Sequence, residues 1–254
     1  MRAGLLVLLA LLLPGAAGAT EWGTATAEVR QLLGQSLAQT SGLSLESPEW
    51  QEDGAFVPLT LHLRGAQPPL RLSLLRSAED EPRIARLELA AWHEPLELST
   101  RVRLPRSQQL LVVARDGAGR VWLAATSVAV AGSSCLATPT LDPLNGLGRI
   151  NAQAGPLAVE GGTALALRTL LRHPMESGRR LDAAGQLLPK RLLRRFEVRG
   201  SRGLLLRVEP FEGLAANPYW RLLLPQDAGP LALRWEDAEG SLYQRSLMPA
   251  VGLE

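Results

Sequence analysis

The chain has 254 residues, 46% hydrophobic and 20% charged, with a net charge of +2 at pH 7 and one cysteine. That apolar share is ordinary for a globular protein, and the length suffices for two small domains. A lone cysteine excludes an internal disulfide and a thiolate zinc site, so any core must hold without a staple.

Met1-Arg2 is followed by an aliphatic run from Leu5 to Leu13 and by Ala17-Gly18-Ala19. A basic start, a short apolar core and a small-residue site predict a secretory signal over 1–19, cleaved after Ala19. The run falls short of the roughly 20 residues that span a bilayer. No cysteine follows to carry a lipid, and no Arg-Arg pair precedes the apolar core, so the general export route is expected. Export and near-neutral charge together set nucleic acid aside.

Residues 20–54 form a helix and lead-in. Thr24 or Thr26 is the expected cap; Val29, Leu32, Leu33 and Leu37 follow at helical spacing, and Gly42 and Pro48 punctuate the end. Over 55–134 the period changes to two. Val57, Leu59, Leu61 and Leu63 alternate with Pro58, Thr60, His62 and Arg64, and similar runs recur near Leu70, Leu87, Leu96, Leu110 and Val121. Each reads as a strand with one buried face. Asp116-Gly117-Ala118-Gly119 between two apolar runs predicts a hairpin through residues that accept positive φ. Frequent turns with no crossover helix predict an antiparallel sandwich.

Residues 135–160 are rich in Gly and Pro and read as a linker, extended only near Leu157 to Val159. From 161 to 254 the alternation returns at Leu165, Phe196, Leu204, Trp220 and Leu231, with a closing hairpin at Asp237-Ala238-Glu239-Gly240. Trp220 and Trp235 fall on apolar faces and are expected in the core. The prediction is all-β: a short helix after the signal, then two β-sandwiches in tandem.

Cys135 follows Gly132, Ser133 and Ser134, small residues that bury little and confer flexibility. It has no adjacent Lys, Arg or His to lower its pKa from about 8.5, so it reads as a handle acted on by other proteins, not an activated nucleophile. A surface cysteine of no consequence fits the same residues, and an exposed thiol in an oxidising compartment can also link two copies. The three histidines His62, His93 and His173 show no metal-ligand spacing, and neither a nucleophile elbow nor a phosphate loop occurs. No metal or cofactor is expected. Lys190, Arg191, Arg194 and Arg195 form the densest basic run, either a solvated strand face or a docking patch for an acidic partner.

Particular stretches resemble known families. Phe56-Val57-Pro58-Leu59-Thr60, Ser99-Thr100-Arg101-Val102-Arg103 and the hairpin ending in Cys135 are similar to the sulfur-oxidation family SoxY. His173-Pro174-Met175-Glu176-Ser177-Gly178, Ala216-Asn217-Pro218-Tyr219 and Leu233-Arg234-Trp235-Glu236-Asp237 are similar to SoxZ. The order resembles fused SoxYZ-like carriers associated with quinoprotein dehydrogenases. The resemblance implies immunoglobulin-like sandwiches and a non-enzymatic periplasmic carrier whose Cys135 holds a sulfur intermediate such as one derived from thiosulfate. Partner enzymes would load and process it. Two departures stand out: the family's Gly-Gly-Cys-Gly-Gly tail keeps only Gly132, and the arm here is tethered at both ends. The rival reading is a non-covalent accessory module for a periplasmic quinoprotein dehydrogenase or its cytochrome partner, docking through Lys190, Arg191, Arg194 and Arg195.

Overall fold

The structure, a computed structural model, describes residues 22–132, 145–160, 162–182 and 184–249. The expected signal over 1–19 and Cys135 lie outside the described residues. One helix, α1 (Thr26–Leu33), precedes fifteen strands among them. The first half supplies β1 (Leu43–Glu46), β2 (Trp50–Asp53), β3 (Val57–Leu63), β4 (Leu70–Arg76), β5 (Arg83–Leu89), β6 (Leu96–Val102), β7 (Gln108–Arg115) and β8 (Val121–Gly132). The second supplies β9 (Ile150–Val159), β10 (Gly162–Leu171), β11 (Leu193–Gly200), β12 (Gly203–Pro210), β13 (Tyr219–Leu224), β14 (Leu231–Asp237) and β15 (Leu242–Leu247). No described helix is long and apolar enough to cross a membrane.

The predicted alternation decides which face is buried. In β3 the residues Val57, Leu59, Leu61 and Leu63 are buried while Pro58 is exposed; in β14 Leu231, Leu233 and Trp235 point inward and Ala232 and Arg234 outward. Inward faces of two sheets then close over one another, which is the sandwich predicted. Trp220 and Trp235 are both core residues, and Trp235 stacks on Phe196 with ring centroids 3.7 Å apart.

The halves do not sit side by side as separate bodies. Their sheets run into each other. The smaller sheet has the order β1-β3-β6-β13-β10-β9 and the larger β15-β14-β11-β12-β5-β4-β7-β8-β2. Two antiparallel pairings make the seam: β5 with β12, from Leu89↔Leu206 to Ala85↔Pro210, and β6 with β13, from Leu98↔Leu222 to Thr100↔Trp220. A single hydrophobic core extends from Val57 in the first half to Leu247 in the second. Each seam strand would be an exposed edge in an isolated half, and the pairing removes that liability.

Several local expectations are corrected. Neither Thr24 nor Thr26 caps α1: Thr24 Oγ1 donates to the carbonyls of Ser77 and Glu79, and Thr26 Oγ1 to that of Gly23. Leu37 lies beyond the helix and is 91% exposed. Only Ala25 and Val29 of this segment are fully buried, packing with Leu75, Leu111, Val113 and Val121 on the outer face of the larger sheet. Two strands, β1 and β2, arise in the lead-in, and β2 pairs with β8 in parallel. An edge position allows this without a crossover helix in the sandwich. The linker expected up to residue 160 gives way at Ile150 to the ten-residue β9, which pairs along its whole length with β10. Pro156 and Gly155 are tolerated there because β9 is an edge strand, with one side free of ladder bonds.

The two predicted hairpins share one device. Asp116 Oδ1 accepts from the amides of Ala118 and Arg120, and Asp237 Oδ1 from those of Glu239 and Ser241. Gly119 and Gly240, three residues after each Asp, take positive φ of 81° and 87°. Gly117 serves differently: a Cβ there would lie 2.3 Å from the Pro68 carbonyl oxygen.

Candidate functional site

Of the residues proposed for partner docking, Lys190 pairs with Glu212 at 2.7 Å, Arg191 with Glu239 at 2.9 Å, and Arg194 with Glu236 at 3.5 Å. Arg195 lies on β11 opposite Glu236. The positive run is therefore largely answered by carboxylates of the same fold. No group of three or more metal-ligating side chains occurs among the described residues.

Three stretches singled out in the sequence meet in one buried polar cluster. His173 and Asp237 are fully buried, and Glu176 nearly so. Glu176 binds the Arg180 guanidinium through both its Nε and Nη2, and its backbone carbonyl accepts from the Arg191 amide. Arg191 reaches toward Asp237 at 3.9 Å, and Tyr243 Oη donates to Asp237 Oδ2 at 3.1 Å. Burial alone would raise the Asp237 pKa. The amides of Ser241 and Glu239 and the Tyr243 hydroxyl outweigh it and hold the carboxyl below its usual value.

His173 is held neutral. Burial lowers its pKa to about 4, the nearby Asp237 carboxylate only partly offsetting the cost of charging it. Its Nδ1 accepts from the Met175 amide at 3.1 Å, which assigns the proton to Nε2. That bond steadies Met175 at φ 48°, a left-handed conformation unusual for methionine. Unfolded, the same histidine protonates near pH 6.5. The unfolded chain thus binds the extra proton between about pH 4 and 6.5, so stability falls as pH drops through that window and is level above it. The expected loss from His173 between about pH 7 and pH 4.5 is roughly 2–3 kcal/mol. Urea unfolding across that range should show it, and His173→Asn, which keeps an acceptor but cannot titrate, should flatten the slope by that amount.

The cluster backs a surface pocket. Asn217, at φ 50°, clamps His173 twice: its Oδ1 accepts from the His173 amide and its own amide donates to the His173 carbonyl at 2.7 Å. Asn217 then lines a cavity of 480 Å³ together with Phe56, Arg101, Arg149, Asn151 and Arg172. These residues come from five places. Phe56 precedes β3, Arg101 lies on β6, Asn217 precedes β13, Arg172 follows β10, and Arg149 and Asn151 sit at the start of β9. Adjacent strands of the smaller sheet bring them into a row across the seam. Arg172 N donates to the Arg149 carbonyl and its Nε to the Asn145 carbonyl at 3.1 Å, tying the turn 145–148 to the end of β10. Gly148 is required there: at φ 79° a Cβ would lie 2.4 Å from the Tyr243 ring. The Arg101 guanidinium lies 5.1 Å over Tyr219.

Arg149 carried no signal in the sequence. Arg172 was visible only as a polar residue alternating with the leucines of a strand, and Arg101 and Asn217 stood within family-like stretches. Nothing in their spacing links them, because the seam alone makes them neighbours.

The model of the family described as sulfur oxidation protein SoxY matches residues 29–135, and that of sulphur oxidation protein SoxZ matches residues 155–247. Among solved structures, the sulfur carrier protein SoxY from Chlorobium limicola f thiosulfatophilum is 26% identical over 41% of this chain and 89% of its own, with a TM-score of 0.35. No curated protein matches the chain. The first family match ends on the single cysteine and the second ends with β15, so the chain carries a SoxY domain followed by a SoxZ domain of the sulfur-oxidation proteins.

Proposed function

We propose that the protein is a periplasmic carrier in sulfur-compound oxidation, holding an intermediate covalently on Cys135 while partner enzymes act on it. The observation that carries this reading is the SoxY match running through to Cys135, the chain's one thiol, with a SoxZ match following it. The thiol has no activating neighbour in sequence, which suits a handle loaded by another protein. Forming a sulfur–sulfur bond from a thiol and a reduced sulfur anion releases two electrons. A periplasmic redox partner, of the quinoprotein dehydrogenase or c-type cytochrome kind, would accept them. The seam supports a fused carrier, since one chain secures a pairing that two chains would have to find by collision. The rival accessory module depends on free charge at Lys190, Arg191, Arg194 and Arg195, and the first three are each met by a carboxylate of their own fold.

Intact-mass spectrometry of protein recovered from the native periplasm during growth on a reduced sulfur compound tests the proposal. Mass additions should appear, vanish with a reductant, and be absent in Cys135→Ser. A thiol that stays unmodified throughout turnover would overturn the carrier role.

A further inference from the structure

We propose that the pocket formed by Arg101, Arg149 and Arg172 is a binding site for a tetrahedral sulfur oxyanion, either free or as the sulfonate end of a group on Cys135. The second source rests on the carrier reading above; the first does not.

The charged residues that line the pocket are all positive. No carboxylate lines it, and among the described residues none of these three arginines has an ion-pair partner. Several other arginines are paired within the fold, as Arg83 is with Glu81, Arg86 with Glu28, Arg120 with Asp116 and Arg207 with Glu197, whereas these three share one cavity. Three arginines lining one cavity that no carboxylate lines invite an anion, and planar N–H forks suit its oxygens. Asn217 uses its Oδ1 on the His173 amide, which leaves its Nδ2 as a further donor on the wall. A volume of 480 Å³ admits a small oxyanion with hydration water.

The site is also prearranged. The Arg172 side chain is held by its bond to Asn145 and that of Arg101 by Tyr219, while the Arg149 backbone is held by hydrogen bonds with Gly146 and Arg172. It needs both halves, because Arg101 belongs to the SoxY match and Arg172 and Asn217 to the SoxZ match. One described end flanking 133–144 lines it. Asn145 lines the pocket, and Gly132 is the cross-strand partner of Asp53, three residues before Phe56 on the pocket wall. Cys135 is three residues from Gly132, a tether of at most about 11 Å.

The test uses the full chain in two arms. In the first, Cys135→Ser protein is titrated calorimetrically with thiosulfate and with sulfate at low ionic strength. Saturable binding is expected. Arg149→Gln and Arg172→Gln should each weaken it about tenfold, and Arg168→Gln, an exposed arginine of β10 outside the pocket, should leave it unchanged. Absent binding, or equal weakening by Arg168→Gln, overturns a free-anion site. In the second arm, tetrathionate loads the native thiol: the Cys135 thiolate attacks the central sulfur–sulfur bond, forms a new one, and thiosulfate leaves with the electron pair. Release of the resulting Cys135–S–S–SO₃⁻ group by a reductant is timed. If the pocket holds the carried group, Arg149→Gln with Arg172→Gln should speed release several-fold. Anion binding with unchanged release assigns the pocket to free anion. Anion binding by a protein that carries no sulfur adduct in the native periplasm sinks the carrier reading and leaves the site standing. Failure of both arms overturns the proposal.

Discussion

Asp237→Ala is expected to lower the unfolding free energy by about 3–5 kcal/mol, the range seen when one partner of a buried charged network is removed. Its side chain has no solvent exposure and accepts from the Glu239 amide, the Ser241 amide at 2.7 Å and the Tyr243 hydroxyl. The truncation leaves three donors unpaired and removes the more distant of the two carboxylates that face Arg191, itself only 23% exposed. The turn between β14 and β15 loses the acceptor that closes it, which frees the β15 edge. The folded-state pKa of Asp237 is depressed, so its contribution is present above the unfolded carboxylate range and disappears as pH falls through the folded value. Chemical denaturation at neutral pH measures the loss, and Asp237→Asn, which retains an oxygen acceptor, should recover part of it. A cost below about 1 kcal/mol would mean that the network is dispensable.

Trp220→Ala should cost a similar amount, about 3–5 kcal/mol, through the cavity left by a large buried aromatic. Trp220 is 1% exposed and lies on β13 opposite Thr100 of β6, within the seam. Because one core spans both halves, the loss should appear as a single shifted transition by fluorescence and by circular dichroism alike. Two separated transitions, with only the second half destabilised, would show that the seam does not couple the halves.

The alternation of Leu and Val with polar residues made the β character of both halves legible, since a strand's side-chain period is two whatever it pairs with. Asp116 and Asp237 announced their hairpins for an equally local reason: a short carboxylate caps amides two and four residues on. Pairing partners were less accessible. The β2 strand has little apolar character, and its parallel contact with β8 follows from where the chain returns, not from its composition. The Gly- and Pro-rich stretch around Gly155 looked like a linker because propensity cannot see that an edge position forgives both residues. The run from His173 to Gly178 was conspicuous, and its place in the structure is that of a buried support, with His173 holding Met175 and Asn217.

By itself the amino-acid sequence determined the local facts: strand periods, two hairpin turns, buried tryptophans and one cysteine among small residues. Those depend on neighbours a few positions apart. Tertiary structure alone decided that β5 meets β12 and β6 meets β13, and hence that Arg101, Arg149 and Arg172 surround one cavity. The physical reason is range: backbone edges choose partners by shape and hydrogen bonding across more than a hundred residues, and guanidiniums that never approach one another along the chain become neighbours only when those edges close.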